Sequence, residues 1–124
     1  MQAADGNLFD DIPSQPRDEV LTELVSMSGV KIERIVSNGH TTSPDVWYDQ
    51  DWAEWVSIVS GAAAILFDGE IEPRQLKRGD YLLIPRHSRH QVIWTDPAQP
   101  TIWLAVHFGD SPAPDHMQRT ASAS

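Results

Sequence analysis

Residues 79–92 read GDYLLIPRHSRHQV, and the order of residue types in that stretch decides the fold class. Gly79 and Asp80 are turn formers, Tyr81 to Ile84 form an apolar run of strand length, and Pro85 ends it by removing a backbone donor. A polar turn carrying Arg86, His87, Ser88 and Arg89 then leads into HQVIWT (90–95), a second run rich in β-branched and aromatic residues. The same grammar extends in both directions. Downstream, TIWLAVHF (101–108) follows the breakers Asp96-Pro97 and Pro100. Upstream stand VKIERIVS (30–37) and the long run WVSIVSGAAAILF (55–67), set off by Ser37-Asn38-Gly39, Ser43-Pro44-Asp45 and Asp68-Gly69. Turns recurring about every 8–12 residues, with no convincing long helix, predict an all-β sandwich or barrel. Only RDEVLTELVSM (17–27) is ambiguous: Val20, Leu21, Leu24 and Val25 fit one helical face, while Val20 and Leu24 also suit a strand.

A length of 124 residues supports one domain with a real core and not two. Residues 1–16, with Gly6, Pro13 and Pro16 among few apolar positions, read as an N-terminal arm; 17–110 is the single domain, and 111–124 is a small, polar, flexible tail. Eighteen Asp and Glu against nine Lys and Arg leave a formal charge of -9, which repels phosphate backbones and anionic lipid. Arg74, Lys77, Arg78, Arg86 and Arg89 read as ordinary strand surface, so neither nucleic acid nor membrane is expected as a partner. The absence of cysteine excludes disulfides, thiolate catalysis and Cys-ligated zinc, so any metal must be held by N and O ligands. MQAADGNLFDD has no basic n-region and no apolar core, and no apolar run approaches the roughly 18 residues of a membrane span. A cytoplasmic protein is the expectation.

Several polar residues fall where the alternation expects apolar ones. Val30, Ile32, Arg34 and Val36 share one period-2 face, which places Arg34 inward unless the register breaks, with Glu33 or another acid as its partner. Glu54 opens a strand in phase with Val56 and Ile58, and an inward carboxylate needs a cation, donors or a metal. Of the five histidines, His116 lies in the tail, and His40, His87, His90 and His107 lie in or beside strands. His87 and His90 are three apart in a turn, and one of them is more readily inward than both. His107 shares a face with Trp103 and Ala105, and the alternation leaves open which face is inward. Trp47, Tyr48, Trp52, Trp55, Trp94 and Trp103 suit core, subunit contact or the wall of a pocket.

GDYLLIPRHSRHQV resembles the second cupin motif, with Gly79, Asp80, Pro85 and His90 in its places and His87 where the family usually has Gly. EWVSIVSG is similar to the end of the first motif, through Glu54 and Gly61. The H-x-H that normally precedes that Glu is absent and WYDQ stands there, so the two positions fall on Tyr48 and Gln50 or on Trp47 and Asp49. The resemblance spans roughly residues 28–109 and implies a conical β-barrel of two antiparallel sheets, the double-stranded β-helix or jelly roll, with metal and substrate at its open end. It implies Asp49, Glu54 and His90 as a facial carboxylate and imidazole set for a divalent transition metal (Mn, Fe, Ni or Zn). Tyr48 and His87 become the candidate catalytic proton donors and acceptors, and Arg34, His40, Gln50, Trp94 and His107 the candidate substrate contacts.

Two main functions follow. One is a metal-dependent enzyme acting on a small polar or carboxylated metabolite by oxygenase, isomerase or lyase chemistry, with an arginine as carboxylate clamp. The other is a non-catalytic barrel that binds or senses a small molecule without metal. A third, metal-free reading, like a sugar-nucleotide epimerase or isomerase, uses a His and a Tyr for proton transfer; it calls for a His–Asp pair and basic residues for a diphosphate, and the acidic chain argues against it. A homodimer is expected, formed by adding an edge strand to the partner.

Overall fold

Every regular element in the computed structural model, which describes residues 2–14, 17–109 and 121–123, is a strand: β1 (Val20–Met27), β2 (Val30–Ser37), β3 (Val46–Tyr48), β4 (Ala53–Ser60), β5 (Ala62–Phe67), β6 (Arg74–Lys77), β7 (Tyr81–Ile84), β8 (His90–Thr95), β9 (Thr101–Phe108) and β10 (Ala121–Ala123). Among the described residues no helix is long and apolar enough to cross a membrane. The strands form two five-stranded sheets, β1-β2-β9-β4-β7 and β10-β3-β8-β5-β6, all paired antiparallel. This is the two-sheet barrel that the motifs imply. The ambiguous segment 17–27 resolves as strand, because Ser28-Gly29 folds it back on β2 and the ladder satisfies its backbone groups.

Both motifs have a structural reason. At Gly61 the chain leaves the first sheet and enters the second with φ +89°, where a Cβ would lie 2.5 Å from Thr101 Oγ1 and 2.6 Å from Thr101 Cα. Only glycine fits that corner. The Gly79-Asp80 turn is stitched onto β4, since the Gly79 amide donates to the Ile58 carbonyl at 2.8 Å and the Ile58 amide donates to the Asp80 carbonyl at 3.0 Å. Asp80 Oδ2 also accepts the Lys77 amide at 2.8 Å, closing the turn between β6 and β7. Before β9, the Gln99 carboxamide and the Ala98 amide hold the Asp96 carboxyl below its ordinary range and fix that turn.

The core between the sheets is built from Ile35, Val56, Ile58, Ile65, Leu82, Ile84, Val92 and Trp103 with small residues between them. Its phase on β2 corrects the expectation for Arg34. Ile35 is a core residue and Glu33 and Ser37 share its phase, so the inward face is the odd one, and Val30, Ile32, Arg34 and Val36 face out. The outer face is also apolar because the N-terminal arm lies on it: the Arg34 guanidinium donates to the carbonyls of Leu8, Asp10 and Asp11. Arg34 clasps the arm on the outer face of the sheet. The tail expectation also changes. Residues 110–120 and 124 lie outside the described residues, as does His116, but Ala121–Ala123 pairs with β3.

Candidate functional site

The β3–β4 connection settles which residues take the positions left open by WYDQ. Gln50 and Glu54 are buried, and Gln50 Nε2 donates to Glu54 Oε1 at 3.0 Å. Tyr48 is paired with His90 across β3 and β8, with ring centroids 5.6 Å apart. Tyr48, Gln50, Glu54 and His90 are therefore the motif positions. Asp49 points elsewhere: its Oδ1 lies 2.8 Å from His87 Nδ1, and the His87 amide donates to the Gln50 carbonyl at 2.6 Å.

His90 is buried between Tyr48 and Phe67, whose ring centroid is 5.8 Å away. Its Nδ1 sits 2.8 Å from the Ser88 carbonyl, which can only accept, so Nδ1 carries a proton. Beside Glu54 on β9 lies His107, its register partner. The Trp52 indole N–H, a donor only, reaches His107 Nδ1 at 2.8 Å, so the ring proton is on Nε2 and donates to Glu33 Oε1 at 2.8 Å. Lys31 stands 3.4 Å from the other Glu33 oxygen. Glu33, Trp52 and His107 are all buried, and this network faces the interior, which answers the question of the His107 face. The sequence reading took Glu33 only as a candidate partner for Arg34 and Trp52 only as one of several tryptophans, and did not join either to His107. The usable signal was Glu33 standing in phase with Ile35, obscured because the opposite phase of β2 is more apolar.

These four positions supply one carboxylate, one imidazole, one neutral amide and one phenol, a poor donor set for a resident transition metal. Among the described residues no three His, Asp or Glu side chains come together as a metal-binding group. The Asp49, Glu54 and His90 set is not assembled, because alternation turns Asp49 away from its neighbour Gln50 and onto His87. One expected substrate contact lies elsewhere: Trp94 is exposed on the outer face of the second sheet, where a bulge between Ala64 and Ile65 skips Ile93 and shifts the phase of β8. His40 stands on the wall of a cleft beside β1, its ring held by the Asn38 amide at 2.8 Å and the Arg17 carbonyl at 3.1 Å.

A cleft of about 300 Å³ lies between β1 and the β3–β8 pair, lined by Asp18, Glu19, Leu21, His40, Thr41, Thr42, Tyr48 and Val92, and a second of about 360 Å³ lies between the arm and the β8–β9 turn, away from the motif residues. Of the four motif residues, Tyr48 is the one on the wall of the first cleft. His87, exposed in the turn between β7 and β8, holds φ at +59°, a conformation that suits the Gly usual at that place of the motif. His87→Gly is therefore expected to be at least as stable as the parent. His87→Ala keeps the strain and loses the Asp49 contact, and should fall below His87→Gly by about 1 kcal/mol in urea titrations.

A cupin-domain model matches residues 34–107. The chain is 48% identical to a protein of Ralstonia eutropha JMP134 provisionally assigned as a mannose-6-phosphate isomerase, over 86% of this chain and 98% of that one, with a TM-score of 0.84. An uncharacterized conserved protein of Klebsiella pneumoniae with a double-stranded β-helix domain superposes over 99% of this chain and 100% of its own at 13% identity and TM-score 0.73. The DMSP lyase DddQ of Ruegeria pomeroyi DSS-3 shares the fold at 18% identity and TM-score 0.65, over 86% of this chain and 51% of its own. No curated protein sequence matches this one. With both motifs seated on the two-sheet barrel and the domain model spanning most of it, the chain belongs to the cupin family.

Proposed function

We propose that this cupin is a proton-transfer enzyme of the isomerase type that works without a resident metal on a small, uncharged hydroxylated carbonyl compound. The observation that carries this is the position of Tyr48, which forms part of the cleft wall and packs against the buried His90. Among the described residues the cleft is lined by hydroxyls and the carboxylates Asp18 and Glu19, with no Lys or Arg. A hydroxylated ligand finds acceptors there, whereas a carboxylated or phosphorylated one meets no cation among the described residues. The relative assigned to a sugar phosphate supports the reaction type, and the cleft argues for an unphosphorylated substrate.

In such an isomerisation one proton leaves the carbon next to the carbonyl and one is returned to the carbonyl carbon. The hydroxyl proton changes oxygen, so no oxidant or reductant is required. Tyr48 is the group placed to touch the ligand as acid or hydrogen-bond donor, and the His90 imidazole packs behind it. Gln50 and Glu54 hold the base of the site.

The test is incubation of the purified protein with short aldoses and ketoses in deuterium oxide, following label uptake at the carbon next to the carbonyl by NMR, with metal content measured in the same sample. Label uptake by metal-free protein, reduced about a hundredfold in Tyr48→Phe, is the expected result. Uptake that needs an added divalent ion, or that Tyr48→Phe leaves intact, sinks the reading.

A further inference from the structure

An isomerisation needs a base as well as the acid Tyr48, and the other motif residues bring none to the cleft wall. Among the described lining residues Leu21 and Val92 are apolar and Thr41 and Thr42 carry hydroxyls, which leaves His40, Asp18 and Glu19 to accept a proton. His40 is committed elsewhere. Its Nδ1 accepts the Asn38 amide at 2.8 Å, so the ring proton is on Nε2 and goes to the Arg17 carbonyl at 3.1 Å, and the neutral ring keeps no lone pair for a substrate. Asp18 is exposed to solvent, whereas Glu19 is half-buried and held from behind. The Trp103 indole N–H, a donor only, donates to Ser37 Oγ at 3.1 Å, and the buried Ser37 hydroxyl donates to Glu19 Oε2 at 2.7 Å. This relay runs from β9 through the end of β2 to the residue before β1. It fixes a carboxylate on the β1 side of the cleft, across from the wall that carries Tyr48.

We infer that Glu19 is the catalytic base of the isomerisation, an assignment that rests on the proton-transfer reading of the cleft. The Glu19 carboxylate takes the proton from the carbon next to the carbonyl. The C–H electron pair becomes the new C=C bond, the carbonyl π pair moves onto oxygen, and that oxygen takes the Tyr48 phenol proton. The enediol then returns by the converse step: the tyrosinate removes the proton of the neighbouring hydroxyl, that oxygen becomes the new carbonyl, and Glu19 delivers its proton to the former carbonyl carbon. Both side chains end as they began, and no oxidant or reductant enters. The Ser37 hydrogen bond occupies one of the about four acceptor sites of a carboxylate and sets its direction before the substrate arrives. A carboxylate base also suits an uncharged substrate, because a phosphate would bring like charges together in one cleft.

Label uptake from deuterium oxide by the full chain, with the same short aldoses and ketoses, tests it on the parent, Glu19→Gln, Glu19→Ala and Glu23→Gln. Glutamine keeps the shape and an oxygen for the Ser37 hydroxyl, so Glu19→Gln should melt as the parent does by circular dichroism. It should lower kcat about a hundredfold or more with KM little changed, the mark of an interaction made in the transition state. Added formate should restore part of the lost rate to Glu19→Ala, since a free carboxylate can occupy the space that alanine leaves. Glu23→Gln removes the same charge from an exposed β1 position outside the cleft and should run as the parent. Glu19→Gln at the parent rate, a loss confined to KM, or a Glu19→Ala variant that formate does not restore overturns the assignment of Glu19 while the proton-transfer reading stands. A parent that takes up no label overturns both.

Discussion

His107→Leu should lower the free energy of unfolding by about 3–5 kcal/mol, the usual loss when one member of a buried polar pair is removed. Two groups lose a partner at once: the Trp52 indole N–H loses the His107 Nδ1 acceptor and the Glu33 carboxylate loses the His107 Nε2 donor, with Lys31 3.4 Å from its other oxygen. Neither is reached by solvent, since Trp52 is 3% exposed and Glu33 2%. Leucine fills most of the imidazole's volume, so the deficit measures unmet hydrogen bonding more than a cavity. Urea unfolding of His107→Leu, Glu33→Leu and the double variant closes the cycle. The double variant should be less damaging than the sum of the singles by about 1–3 kcal/mol. Additive losses would mean that the two side chains do not act as a unit.

Gly61→Ala comes second, with an expected loss of about 2–5 kcal/mol: about 1–2 for an L-residue in the left-handed region and about 1–3 for overpacking. The overpacking is against the Thr101 backbone and the Pro100 carbonyl, 2.9 Å from a Cβ, and neither can yield as a flexible side chain would. Gly69, with φ +91° and nothing within 4 Å of a built Cβ, isolates the torsional part. Gly69→Ala should cost about 1–2 kcal/mol, and equal losses at both positions would remove the steric account.

The architecture was legible because it depends on local requirements. A chain that changes sheets needs Gly61, and a turn sewn to β4 needs Gly79 and Asp80, so both appear as residues at fixed spacing. His90 and Glu54 were legible as inward polar residues for the same reason. What failed was phase. On β2 both faces are apolar, one against the core and one under the arm, so alternation could not say which carried Arg34 and which carried Glu33. On β8 a bulge displaced Trp94. The Glu33, Trp52 and His107 network joins β2, the start of β4 and β9, and no local period contains such a pairing. In WYDQ the neighbouring Asp49 and Gln50 point to opposite sides, and only the observed register shows which of them meets Glu54.

The ladder that joins β2 to β9 has a kinetic consequence. β2 ends at Ser37 and its partner β9 begins at Thr101, with the six strands β3 to β8 made in between. The central strand pair of the first sheet is therefore among the last contacts available to a chain emerging from synthesis. Until β9 arrives, VKIERIVS, apolar in both phases, has only the β1 hairpin to shelter it. Long-range pairing of this kind places folding in the millisecond-to-second range and lengthens the time in which nascent chains can pair with one another. The acidic composition then protects the unfinished chain, since half-made copies at high negative charge keep apart until the barrel closes.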